Sequence, residues 1–134
     1  MRVAAPNSDA FPEVERRLRR ILEPYRATLS VTREGPGGMA LEMPGLEGKP
    51  WGFVAATKIG KSYVSFHLMS AYADPSIIAS MSPELKRRMQ GKSCFNFTKI
   101  DEALFTELEA VAAKGIARQP EIVAKALAAN PRRR

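Results

Sequence analysis

The sequence predicts an α+β domain: a curved antiparallel sheet of about five strands with helices packed on one face. Three observations predict it. Apolar residues near the N-terminus recur at helical spacing, several later segments alternate apolar and polar residue by residue, and short turn-forming stretches separate those segments. The resulting order is helix, four strands, helix, strand, helix, and its short connections favour antiparallel pairing.

Val14, Leu18, Ile21, Leu22 and Tyr25 form one amphipathic stripe. Pro12 suits the first turn of that helix, and Pro24 stops it near Leu22 and Glu23. A strand follows around Leu29–Arg33, then the turn Glu34-Gly35-Pro36-Gly37-Gly38, then a second strand around Met39–Met43. Trp51–Lys58 reads as the third strand, with Trp51 either a core anchor or a rim aromatic. Ser62–Met69 reads as the fourth. Asp74-Pro75 opens a helical turn through Ile77–Ala79. Ser82 caps a helix over Glu84–Gln90, where Pro83 takes the first position and Gly91 closes it. Cys94–Thr98 is the fifth strand. Asp101 caps a longer helix carrying Leu104, Leu108, Val111 and Ala112, and Pro120 interrupts it. A final helix runs Glu121–Ala129 and stops at Asn130-Pro131.

Two Gly-Lys-Ser triplets, at Gly60 and Gly91, invite a nucleotide reading. A P-loop needs a further glycine five residues earlier, so that successive N–H groups curl round phosphate, and it must open a helix. Those positions are Ala55 and Lys86, and both triplets run into alternating segments. Each is a turn feeding a strand.

Composition bounds the function. The chain has 134 residues, 45% apolar and 26% charged, which fits one soluble globular domain over 1–130 with a basic tail at 131–134. No apolar run approaches the ~20 residues that span a bilayer, so no membrane partner is expected. The first residues lack the apolar stretch of a signal peptide, and the single cysteine suits a reducing compartment, so the expected location is cytoplasmic. The formal charge is +7, from 21 basic and 14 acidic residues. Arg16, Arg17, Arg19 and Arg20 lie among Glu13, Glu15 and Glu23, which reads as a solvated helix face. The strands lack the interleaved exposed aromatics that stack bases, so nucleic acid is not the expected partner.

The run GKPWGFVAATKIGKSYVSFHLMSAY, then MSPELKRRMQGKSCFNF, then DEALFTELEAVAAKG, resembles the YdhG-like group of small bacterial domains of unknown function. The resemblance spans roughly Pro44 to Arg118, and its most specific pieces are YVSFHLM and MQGKSCFNF. It implies a compact α+β domain with a helix-flanked curved sheet, and little chemistry. One branch of the group has been described as a frataxin-like iron chaperone, a role that calls for clustered carboxylates as hard oxygen ligands. Here only Asp101-Glu102 and the Glu107 and Glu109 pair lie close together, so no metal site is expected.

Alternation divides the distinctive strands into faces. Val64, Phe66, Leu68, Phe95 and Phe97 should meet the helices. Tyr63, Ser65 and His67 then share the other face with Cys94, Asn96 and Thr98, provided the two strands are neighbours. Tyr63, Ser65, His67, Cys94 and Asn96 are the candidate small-ligand residues. The alternative is a face that is simply solvated. A second candidate, for anions, is the basic cluster Lys86, Arg87, Arg88 and Lys92, or else a solvated helix face. His67 lacks Cys and His partners at zinc spacing. A Cys94–His67 nucleophile pair is conceivable, but no orienting acid is identifiable, so no catalytic residue is assigned. The expectation is a non-enzymatic small-ligand or partner-binding module that needs no cofactor. The alternatives are a metallochaperone or a small enzyme built on His67 and Cys94.

Overall fold

The computed structural model describes residues 8–91 and 93–129. Helix α1, Phe11–Leu22, is followed by hairpin strands β1, Ser30–Gly35, and β2, Gly38–Glu42. Strands β3, Phe53–Ile59, and β4, Val64–Leu68, form the next hairpin. Three short helices follow: α2, Met69–Ala73, α3, Pro75–Ala79, and α4, Pro83–Lys86. Strands β5, Met89–Gln90, and β6, Cys94–Phe97, precede the long helix α5, Glu102–Ala129. The six strands make one antiparallel sheet in the order β1-β2-β3-β4-β6-β5. The fold is α+β, as the alternation and turns predict, with one more strand. The expected tail at 131–134, the helix stop at Asn130-Pro131 and Lys92 lie outside the described residues.

The inner face of the sheet is the core. Met39, Leu41, Ala55, Val64, Phe66, Leu68, Phe95 and Phe97 are buried there, with Val14, Leu18, Ile21 and Leu22 of α1 and Phe105, Leu108, Val111 and Ala112 of α5. Phe105 stands edge-on to Phe97, ring centroids 4.9 Å apart. Burying each of the larger side chains contributes about 1.5–3 kcal/mol, which is why the period-two pattern fixes the register.

Four readings of the sequence need correction. The helix expected over Glu84–Gln90 is a single turn, capped by Ser82, whose Oγ accepts from the Leu85 N–H at 3.1 Å. Met89 pairs with Phe95 and Gln90 with Cys94, so the residues that would lengthen α4 instead satisfy the β6 backbone. Gly91 does hold a left-handed φ of 77°, but it turns the β5–β6 hairpin.

Helix α5 also passes through Pro120 without ending. Its buried stripe continues on both sides of the proline with Ile116 and Val123. Between them Gln119, 2% exposed, donates through Nε2 to the Phe53 carbonyl. Tertiary contact therefore outweighs the missing hydrogen bond. Arg118 pairs with Asp74 at 3.0 Å, tying this stretch to the α2–α3 junction. Gly115 packs so closely on buried Ser70 that a Cβ would collide with its hydroxyl.

Third, Trp51 opens a one-turn 3-10 segment, Pro50–Gly52, and the strand begins only at Phe53. Gly52 lies against the Leu46 carbonyl, where any side chain would clash, so the chain wraps before it extends.

Fourth, α1 is not solvated throughout its charged face. Glu15 is buried: it accepts from Thr57 Oγ1 at 2.6 Å and from Arg19 Nε at 2.8 Å. Arg19 in turn donates to the Gly35 carbonyl at 2.6 Å. Arg17 reaches α5 and pairs with Glu102.

Candidate functional site

The outer face of the sheet is set by β4 and its two neighbours. The register places Ser65 opposite Asn96 and His67 opposite Cys94 on β6, and Lys58 opposite Ser65 and Ala56 opposite His67 on β3. The proviso on strand adjacency is thus met, and the alternation puts the candidate polar residues on one face. Thr98 lies past the end of β6. Gly60-Lys61-Ser62 is the β3–β4 turn, closed by a hydrogen bond from the Gly60 N–H to the Tyr63 carbonyl at 2.9 Å.

Asn96 is the hub of a side-chain network. Its Oδ1 accepts from Ser65 Oγ at 3.0 Å and from Cys94 Sγ at 3.1 Å, and its Nδ2 donates to Gln90 Oε1 at 2.6 Å. Three strands are stitched together by these bonds. His67 Nε2 lies 3.7 Å from Cys94 Sγ. The imidazole is half-buried, and burial first, then the positive charges of Lys58 and Arg33, holds it below the usual histidine range. His67 therefore favours the neutral form at pH 7.

Above this floor lies an open concavity of about 350 Å³, lined by Lys58, Lys61, Tyr63, Ser65, His67 and Cys94 with Gly60 and Ser62. Four of the candidate ligand residues share it, and Asn96 supports them from beside it. Lys58, Lys61, Arg33 and Gln90 are additions that sequence reasoning missed as site residues. Period two from Ala56 would have placed Lys58 on this face, once β3 was known to pair with β4.

The second candidate cluster is only partly assembled. Arg87 and Arg88 line a concavity of about 390 Å³ with Lys99, but Glu84 and Asp101 line it too. Lys86 is exposed and outside that lining, and Lys92 falls outside the described residues. Trp51 is half-buried, with Lys49 Nζ 5.9 Å from its ring centroid, and it takes no part in either concavity.

Among the described residues no group of three or more His, Cys, Asp or Glu side chains could hold a metal ion. Three of the four acidic residues singled out above have structural partners. Asp101 Oδ1 accepts from the Leu104 N–H at 3.1 Å, Glu102 pairs with Arg17, and Glu107 accepts from both Ser82 N and Ser82 Oγ. No described helix is long and apolar enough to cross a membrane. Comparison of the chain with family models, curated proteins and solved structures gives no match.

Proposed function

We propose that the chain is a non-enzymatic binding module that takes a small ligand, or a short part of a partner, on the outer face of its sheet. One observation carries this: Ser65, His67 and Cys94 converge with Lys58, Lys61 and Tyr63 round a single concavity, on a rigid strand-borne floor. A merely solvated face has no need of an amide hub that fixes the neighbouring hydroxyl and thiol. Kinship with the YdhG-like group and a cytoplasmic location belong to the same proposal. They rest on the sequence resemblance and on the single cysteine.

Amide chemical-shift mapping of isotope-labelled protein against a mixture of charged and uncharged fragments tests the reading. Shifts concentrated at 58–67 and 90–96 are expected. Shifts spread evenly over the surface, or gathered elsewhere, overturn it.

The Cys94–His67 contact supports a second reading, a small thiol enzyme. Against it, the Cys94 thiol donates to Asn96, and no carboxylate lines the concavity to orient the imidazole as a nucleophile pair needs. The rate of Cys94 alkylation by iodoacetamide separates the two. A rate near that of free cysteine fits the binding module, and a rate tens of times faster on the order expected for an activated thiolate promotes the enzyme. A one-to-one iron isotherm abolished by His67→Ala would instead promote the metallochaperone.

A further inference from the structure

We infer that the outer face takes an anion, and that the recognised group is a phosphate carried by a small molecule. This rests on the reading of that face as a binding site and names the class of its ligand.

The juxtaposition that carries it is Lys58 on β3, Lys61 in the β3–β4 turn and His67 on β4 round one concavity, with no carboxylate among its lining residues. Other concavities of this protein are different. The groove between α1 and α5 sets Arg17 and Arg20 against Glu102 and Glu109. Arg87 and Arg88 face Glu84 and Asp101, Arg16 and Arg19 lie with Glu15, and Arg118 and Lys125 lie with Asp74 and Glu121. In each of those four the positive charge is answered locally. Over the β3–β4 hairpin it is not: neither Lys58 nor Lys61 has an ion-pair partner among the described residues.

Arg33 reinforces the field. In the register it lies in line with Ala40, Ala56 and His67, and the two small alanines leave room for it to reach across β2. Its Nη2 donates to the Thr57 carbonyl at 3.2 Å, one residue from Lys58. Like the two lysines, it has no carboxylate partner among the described residues. Burial first, then Lys58 and Arg33, lower the basicity of His67, as follows from the place of both charges beside the same ring.

The donors also fit phosphate better than carboxylate. Two ammonium groups, the Ser62 and Tyr63 hydroxyls and an imidazole N–H offer more donors than the two oxygens of a carboxylate can use. Lysine is a point-charge binder of phosphate, needing no planar fork. A space of about 350 Å³ holds a phosphate and a modest organic remainder. Because the site is open, binding should weaken as ionic strength rises.

Isotope-labelled protein titrated at low ionic strength with inorganic phosphate, glycerol 3-phosphate, acetate and an uncharged set (glucose, nicotinamide and uracil) decides it. Saturable shifts at 58–67 and Cys94 are expected with both phosphates, and tighter than with acetate. Lys58→Gln and Lys61→Gln, both exposed and folded by the same spectra, should each weaken binding roughly two- to fivefold, whereas Arg87→Gln should leave it unchanged. Equal or tighter binding of acetate overturns the phosphate assignment. Shifts on this face from the uncharged set alone overturn the inference and leave the binding-face reading standing. No shifts there from any probe overturn both. Phosphate shifts centred on Arg87, Arg88 and Lys99 place the anion elsewhere and sink the inference. A single-stranded oligonucleotide that binds more tightly per phosphate than glycerol 3-phosphate, over a footprint beyond the concavity, overturns the small-molecule source.

Discussion

Two polar clusters sit on opposite sides of the same sheet. Under it, where α1 crosses β3, Glu15 is held by Thr57 and Arg19, Arg19 reaches the Gly35 carbonyl, and Thr57 Oγ1 also accepts from the Met39 N–H. Above it, Asn96 joins Ser65, Cys94 and Gln90, while Lys58 and Lys61 stand nearby without counter-charges among the described residues. The inner cluster is closed: an acid, a base and their hydrogen-bonding groups answer one another. The outer one is anchored but open, with donors in excess. Buried charge is tolerated only when matched, so the inner cluster is explained by the fold alone. Excess charge on the outer face has no such explanation among the described residues.

Breaking the inner cluster should produce the largest effect. Glu15→Ala leaves Thr57 without its acceptor in the interior and strips Arg19 of its buried partner, leaving it only the Gly35 carbonyl and the more distant Glu34 at 3.8 Å. A loss of about 3–5 kcal/mol in urea-unfolding free energy is expected. Phe66→Ala, which hollows the core beneath β4, should cost a similar ~3–5 kcal/mol. If Glu15→Ala costs no more than an ordinary surface change, the claim that the inner cluster is structural fails.

The outer cluster should respond less. Asn96→Ala removes one hub but leaves its partners near solvent, so about 1 kcal/mol is expected. Lys61→Ala should change stability by less than about 0.5 kcal/mol, while phosphate binding weakens. A stability loss at Asn96 equal to that at Phe66 would mean that β4 and β6 are held from the outer face as much as from the core.

The contrast also explains what the sequence discloses. Faces were legible wherever a strand alternates, because Val64, Phe66 and Leu68 can be buried together only if Ser65 and His67 point the other way. The Ser82 and Asp101 caps were legible because they are local chemistry. What local pattern conceals is pairing over distance. Glu15 looks like a solvated charge until Thr57, 42 residues away, is brought to it. Lys58 looks like an ordinary strand end until β4 places it beside His67. Pro120 reads as a stop because the signal for stopping is local, whereas Gln119 and Val123, which keep α5 going, act through tertiary burial.

The smallest expected effect is the titration of His67, and it probes the comparison at one atom. Burial, then Lys58 and Arg33, disfavour the imidazolium, so the folded pKa lies below the unfolded value of about 6.5. The unfolded chain then binds more protons than the folded one between those two values, and stability must rise with pH there. The contribution is complete above the unfolded pKa and is lost as pH falls through the folded one. The carboxylates with lowered values, such as Glu34 beside Arg26 and Glu102 beside Arg17, lose their contributions at more acid pH, starting from ordinary values near 4.5. Urea midpoints measured downward from pH 7 should therefore decline first in the histidine window, and His67→Gln should flatten that segment alone. Proton NMR of the imidazole should give a midpoint below the free-histidine range, and Lys58→Gln should raise it by removing one of the charges. A midpoint unmoved by Lys58→Gln and by Arg33→Gln would show that burial alone depresses it, and that the positive field over the outer face does not reach the imidazole.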